Sequence, residues 1–210
     1  MTYHSQFGQD AAVIELFPAG HKGTYADVGA ADGMYLSNTL ALEQAGWTGL
    51  CVEADPAEFD KLTITRPHAL RVNMACANHR GSAAFQRVPV EGWSGLSDYP
   101  HQLNAAAIAQ MEREGELEKF DVPCAPLQAM LDPMGLSAID YLSIDVEGAE
   151  LSVLESVDWG RTTIRVITVE INRTDGAIGR YLLERGYCLW AVLGSDEMYV
   201  LKDWLMGGRL

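Results

Sequence analysis

An α/β fold, with a mainly parallel sheet covered by helices on both faces, follows from three features of the sequence. Short β-prone runs alternate with helix-compatible segments along most of the chain. The runs at residues 49–53, 139–144 and 164–169 are rich in apolar and β-branched residues, as strands buried on both faces are. The last two runs, 187–193 and 198–201, flank the turn-like Gly194-Ser195-Asp196-Glu197 and so add an antiparallel hairpin.

In chain order, residues 23–28 form the first strand. Residues 35–45 read as a helix, with Leu36, Leu40 and Leu42 as core contacts and Gly46 as its stop. After the strand at 49–53, residues 56–63 read as a helix with Pro56 near its start, and 70–74 as a third strand. The middle is less regular. Residues 83–88 and 121–125 read as strands and 92–97 as a loop; the polar, alanine-rich stretch 101–119, with Ile108 and Met111 on one side, reads as a helix or lid. Alternation resumes with a strand at 139–144, a helix at 149–157, a strand at 164–169 and a helix at 176–185 closed by Gly186. With no linker-like composition anywhere, residues 1–210 are expected to form one domain, of which about 92–120 is a substrate loop or lid.

The chain has 210 residues, 48% of them hydrophobic, enough for one full core. Its formal net charge is −14. Phosphate binding draws on Lys and Arg, so such an acidic surface disfavours nucleic acid and anionic lipid as main partners. No apolar run reaches the roughly 18 residues of a membrane span, and the N-terminus has no basic segment leading into an apolar one. Cys51, Cys76, Cys124 and Cys188 are scattered without a C-x-x-C pair and read as reduced thiols. The expectation is a cytoplasmic protein. Trp204-Leu205-Met206 either pairs copies of the chain into a homo-oligomer or caps the core.

The segment that carries chemistry is Tyr25-Ala26-Asp27-Val28-Gly29-Ala30-Ala31-Asp32-Gly33, between a strand and a helix. Ligands of open α/β sheets bind beyond the carboxyl ends of strands, at the switch point. Small residues at 29–31 let a ligand approach the backbone closely, and Gly33 frees the chain to turn. Glu53 ends the next strand, 24 residues beyond Gly29, where a carboxylate can accept both hydroxyls of a ribose. A dinucleotide site would need G-x-G-x-x-G to seat its pyrophosphate. Here Asp27 and Asp32 would repel a pyrophosphate, whereas they suit the amine and sulfonium of S-adenosylmethionine. A P-loop is absent, and no Tyr is followed four residues later by Lys. The bland alternative is a tight turn and nothing more.

Two further clusters end later strands. Asp145, in Ile144-Asp145-Val146-Glu147-Gly148-Ala149-Glu150, is placed at the mouth of the same cleft. Glu147 and Glu150 follow at a helix start, where acids also complement the helix dipole. Glu170 and Asn172 end the next strand. Asp145, Glu170 and Asn172 together make a set of oxygen donors suited to a hard divalent cation such as Mg²⁺; the plain reading is that Glu170 and Asn172 only bond loops or substrate.

With these residues in hand, the sequence resembles the FkbM-type S-adenosylmethionine-dependent O-methyltransferases over nearly its whole length. Ser5-Gln6-Phe7-Gly8-Gln9-Asp10 looks like that family's opening. Asp27-Val28-Gly29-Ala30-Ala31-Asp32-Gly33 is similar to its D-x-G-A-N-x-G loop, with Ala31 where Asn is usual. Ser37-Asn38-Thr39, Gly46-Trp47-Thr48-Gly49, Glu53-Ala54-Asp55-Pro56, Asn73-Met74-Ala75 and residues 81–85 also match, and the segment from Ile144 to Glu150 is the most specific. The resemblance implies a Rossmann-like class I methyltransferase with a seven-stranded sheet and a C-terminal antiparallel hairpin. It implies that Asp27, Gly29, Ala30, Gly33 and Asn38 serve the cofactor's methionine side, that Glu53 and Ala54 hold the ribose, that Asn73 and Ala75 lie near the adenine, and that Asp145 borders the cofactor.

Methyl transfer is an in-line displacement that needs an oriented acceptor and a place for one proton. Asp145, with Glu147 beside it, is the expected catalytic group, as general base or as ligand of a divalent cation. The expected acceptor is a hydroxyl of a sugar, glycan or other polyhydroxylated small molecule, with no nucleic acid and no membrane span involved. His4, Gln6, Trp93 and Ser94 are weaker candidates for covering the cofactor or facing the acceptor. The rival readings are an NAD-dependent oxidoreductase or epimerase, which shares the fold but not this glycine pattern, and a cofactor-binding protein without catalysis, which would have no need of Asp145.

Overall fold

In the computed structural model, residues 2–89, 93–99, 105–135, 137–172 and 175–207 are described. Along the chain run α1 (Gln9–Leu16), β1 (Thr24–Val28), α2 (Leu40–Gln44), β2 (Thr48–Glu53), α3 (Pro56–Thr65), β3 (Leu70–Asn73), β4 (Ala75–Cys76), β5 (Gly81–Arg87) and β6 (Gly95–Leu96). Then come α4 (Ala105–Glu114), β7 (Glu118–Ala125), α5 (Leu127–Leu131), β8 (Ala138–Ile144), α6 (Glu150–Glu155), β9 (Thr163–Glu170), α7 (Ala177–Leu183), β10 (Tyr187–Leu193), β11 (Asp196–Leu201) and α8 (Lys202–Met206).

Seven strands form the main sheet in the order β10-β11-β9-β8-β1-β2-β3. From β9 to β3 the neighbours are parallel, and β11 runs antiparallel to both β9 and β10. The expected sheet and its terminal hairpin are therefore present. The chain steps from β1 to β2 on one side and returns to β8 on the other. This reversal opens a crevice above the carboxyl end of β1.

Side chains on β1 alternate between the two faces. Ala26 and Val28 join Leu50, Leu142, Ile144 and Leu154 in one core cluster, while Tyr25 joins Leu42, Cys51, Leu62 and Val166 in the other. The four thiols are free, and Cys51, Cys76 and Cys124 are buried. Among the described residues no helix is long and apolar enough to cross a membrane.

The main departure from expectation is a second sheet, β4-β7-β5-β6, with its own core of Phe85, Leu96, Val122 and Cys124. Residues 95–96, expected in a loop, pair with Phe85 and Gln86. The expected helix at 101–119 is confined to α4, ended by Gly115 at φ 72°, and Lys119 already belongs to β7. Residues 90–92 and 100–104 of the expected loop or lid lie outside the described residues.

A second correction concerns residues 35–45. Only α2 is helical there. Asp32 Oδ1 accepts the amides of Met34 and Tyr35, and Ser37 Oγ accepts those of Thr39 and Leu40. Short polar side chains thus capture the backbone donors that a longer helix would use. Leu36, expected in the core, sits at φ 52° and is 40% exposed. The hairpin spacer shrinks to Gly194 and Ser195, because Asp196 pairs with Glu170. At the C-terminus Trp204 packs on Phe17 at 4.9 Å, while Met206 is 86% exposed.

Candidate active site

A cavity of about 670 Å³ opens above the carboxyl ends of the parallel strands. Its floor is the β1 loop. Gly29 and Ala30 donate their amides to the Val52 carbonyl, at 2.9 and 3.1 Å, and Asp145 donates its amide to the Val28 carbonyl at 2.9 Å. Three strand ends are thereby drawn together. Gly29, at φ 89°, is required here: a Cβ would stand 1.7 Å from the Asp145 carbonyl oxygen.

Asp27, Gly29, Ala30, Asn38, Glu53, Ala54, Ala75, Asp145, Glu147 and Glu170 all line this cavity. Glu53 accepts the amide of Ala31 at 2.8 Å on one carboxylate oxygen and that of Asp55 at 2.7 Å on the other. Burial outweighs these bonds and lifts its pKa to about 7. Asp27 accepts the Thr39 hydroxyl at 2.6 Å; burial raises it as well, against the pull of Thr39 and Arg66.

Gly33 and Asn73, expected at the cofactor, stand behind the wall. A Cβ on Gly33 would run into Leu62 and Arg66, so its glycine serves packing. The Asn73 amide donates to the carbonyls of Glu53 and Ala54, at 2.9 and 3.2 Å, and so anchors the chain that carries Glu53.

The far end of the cavity is acidic. Carboxylate oxygens of Asp145, Glu147 and Glu170 lie within 4.8 Å of one another. Asp145 is exposed where it faces the cavity. Desolvation by the protein around it, with Glu170 and Glu147 close by, holds it well above the usual carboxylate range. Glu147 is 4% exposed, sits at φ 56° and is raised to about 8, by burial first and then by Glu170 and Glu150. Its Oε2 is buried without a hydrogen-bond partner. Asn172 stands beside this cluster: its amide nitrogen donates to Glu170 at 2.6 Å and to Glu150 at 3.2 Å, while Glu147 joins Asp145 and Glu170 as the third carboxylate.

Three features of the site escaped the sequence. Arg66 is fully buried behind the β1 loop. Arg87, on the second sheet, clamps the α3 cap residue Asp55 with two bonds of 2.6 and 2.5 Å and holds its carboxyl below the usual range against burial. Gln9 donates to Asp196 at 2.8 Å, beside the acidic cluster. No spacing signal marks any of them, since each acts across 23 or more positions of sequence.

Residues 27–189 match the family description "Methyltransferase FkbM domain". The chain belongs to the FkbM methyltransferase family. The region matched by this FkbM-family description opens at Asp27 and takes in the β1 loop, the whole second sheet and the acidic cluster. A curated relative, 31-O-demethyl-FK506 methyltransferase FkbM of Streptomyces tacrolimicus, is 33% identical over 167 residues, which make up 78% of this chain. The alignment spans 61% of that protein's length. Among solved structures, a TehB-like SAM-dependent methyltransferase from Corynebacterium glutamicum matches with a TM-score of 0.48 at 13% identity, covering 94% of this FkbM-family chain and 89% of that one. The C-terminal domain of precorrin-6Y C5,15-methyltransferase from Rhodobacter capsulatus matches with a TM-score of 0.44 at 10% identity, covering 91% and 85%.

Proposed function

We propose that this chain transfers a methyl group from S-adenosylmethionine to a hydroxyl of a sugar, glycan or other polyhydroxylated small molecule. One observation carries the reading: Asp27, Glu53 and Asp145, at the ends of three neighbouring strands, face a single cavity. Its two lining cations are already engaged by acids, Lys61 by Glu58 and Arg87 by Asp55. A pyrophosphate would meet carboxylates there, whereas a cationic nucleoside is attracted.

The donor set fits this cofactor. Asn38 lines the cavity with a buried Oδ1 that lacks a hydrogen-bond partner, and an ammonium is the kind of donor it lacks. When bound, S-adenosylmethionine supplies a methyl group on a sulfonium reactive enough for direct displacement. The chain's own residues do the rest. Glu53 accepts the ribose hydroxyls, and the small Gly29 and Ala30 let the nucleoside lie close to the backbone. Asp145 and Glu147, at the far end, orient the acceptor hydroxyl and receive its proton.

A divalent cation beside the acceptor is a second reading, favoured by one observation. Three converging carboxylates include a buried Glu147 oxygen with no partner, and an all-oxygen set suits a hard ion such as Mg²⁺. Asp145, Glu147 and Glu170 would hold it, with Asn172 of the expected set bonded to Glu170 beside them.

Calorimetry with S-adenosylhomocysteine and with NAD tests the cofactor. Binding of the first and not the second is expected, and binding of NAD alone would overturn the proposal. Screening hydroxylated sugars and glycans with a labelled methyl donor then identifies the acceptor. Asp145→Asn should lose transfer while still binding S-adenosylhomocysteine; full activity in that variant would leave Asp145 without a role. Transfer that survives exhaustive chelation would remove the cation.

A further inference from the structure

Arg66 caps α3 and is the largest side chain without accessible surface. Charge neutralisation would require one partner, and Glu43 supplies it at 2.8 Å. The guanidinium makes four more bonds: to the Tyr25 hydroxyl at 2.8 Å, the Thr39 hydroxyl at 3.1 Å, the Gly33 carbonyl at 3.2 Å and the Ser37 hydroxyl at 3.3 Å. Arg66 thus touches both ends of the turn that separates the β1 loop from α2.

The bond to Thr39 has a direction that matters. A guanidinium only donates, so the Thr39 oxygen must accept from it. The single Thr39 proton is then free to point elsewhere, and it points at Asp27 Oδ2, 2.6 Å away. An ionised carboxylate accepts such a bond in full, whereas a protonated one would compete for the same hydroxyl. Asp27 lies at the end of β1 in the cavity wall. We infer that Arg66 is a positioning residue that acts through Thr39 to keep Asp27 ionised and fixed in orientation toward the cationic cofactor.

The inference rests on the proposed cofactor reading and extends it to a residue that touches no ligand. Among the described residues Arg66 is the cation that acts on Asp27, and Glu43 pairs with it as counter-charge. Cys51, opposite Asp27 on β2, is pushed up to about 12 by burial and stays neutral. Tyr141, on β8, is raised likewise and stays neutral. Burial alone drives Asp27 toward its protonated form, and the Thr39 bond, Arg66 and a bond from Ser143 oppose it, in that order of size.

Thr39→Val removes the relay hydroxyl, and with it one acceptor of the Arg66 guanidinium, while leaving the Arg66–Glu43 pair in place; Thr39→Ser keeps the hydroxyl. Binding of S-adenosylhomocysteine is followed by calorimetry from pH 5 to pH 8.5, with thermal unfolding measured alongside. Loss of a charge-assisted bond predicts binding about tenfold weaker near pH 6 in Thr39→Val. Its pH profile should move upward relative to the wild type, while Thr39→Ser follows the wild type. Arg66→Lys, which keeps the charge but not the fork, should fall between. A Thr39→Val protein that folds and binds with the wild-type affinity and pH profile overturns the relay and leaves the cofactor reading standing. A wild-type protein that binds no S-adenosylhomocysteine overturns both.

Discussion

Glu53 accepts the Ala31 amide at 2.8 Å, so the carboxylate at the end of β2 pins the very loop whose shape opens the crevice beside it. Burial raises its pKa from 4.5 to about 7. The folded chain therefore holds this proton more tightly than the unfolded chain does. Stability from this group is complete below the ordinary carboxylate range and is lost as pH rises through about 7. Taken alone, the shift amounts to about 3 kcal/mol. Cofactor binding should run the opposite way, because ribose hydroxyls donate best to the ionised carboxylate. Thermal stability should thus fall, and S-adenosylhomocysteine affinity rise, between pH 5.5 and pH 8. Both trends should shrink in Glu53→Gln. Affinity that is flat over this range would remove Glu53 from the ribose site.

Ala31 itself carries backbone strain. Its φ of 46° lies in the left-handed region, which a residue with a Cβ enters at a cost and which Asn tolerates better. The family pattern that the loop resembles has Asn here, and the observed angle supplies a physical reason. Ala31→Asn should raise stability by roughly 0.5–1 kcal/mol. The substitution leaves the Ala31 amide bond to Glu53 intact, since that donor is backbone. Chemical denaturation with an unchanged slope and a higher midpoint is the expected result; a lower midpoint would mean that the side chain has no room.

The parallel sheet and its terminal hairpin were legible because they follow from short local signals. Apolar runs such as 139–144 and turn residues such as Gly194 survive in any reading of the chain. Asp27, Glu53 and Asp145 were legible for the same reason: each ends a recognisable strand. What the sequence hid lies in tertiary contacts. Leu36 looked like a core residue until Asp32 and Ser37 claimed the neighbouring amides. Asn172 was the expected third oxygen donor beside Asp145 and Glu170, and Glu147 was expected only as a catalytic group. Only the fold turns the Asn172 amide toward Glu150 and leaves a Glu147 oxygen without a partner. Arg66 gave no signal, since an arginine at a helix end usually meets water.

Gly29 should be the least tolerant position of the loop. An alanine there meets a backbone carbonyl at 1.7 Å, which no side-chain adjustment can relieve, and φ of 89° adds strain. Gly29→Ala should cost more than about 3 kcal/mol. Gly81 makes the control, with a similarly positive φ of 145° and open space around its Cβ position. Gly81→Ala should cost only the strain, about 1 kcal/mol. Equal losses in the two variants would show that backbone angle, and not the approach of Asp145, dictates glycine at 29.

The bond between Asp55 and Arg87 joins the two sheets across the rim of the cavity. Asp55 caps α3 by accepting the Ala57 amide at 2.8 Å, and its side chain is almost wholly covered. Arg87 meets it with two nitrogens, reaches Glu118 on β7 with the third, and lies 5.0 Å from the centre of the Phe120 ring. Removing the arginine strands a covered carboxylate, which typically costs about 3 kcal/mol or more. Asp55→Asn keeps the cap and loses only part of the charge pairing, so it should cost less. Arg87→Met should therefore be the more damaging change. Because Asp55 is held below the usual carboxylate range, the stability it contributes is present at neutral pH and falls away as pH drops through its lowered value. Denaturation at pH 7 and again near pH 3 separates the cases: the gap between wild type and Arg87→Met should narrow in acid. A gap of constant size would assign the arginine's contribution to its packing on Phe120 instead.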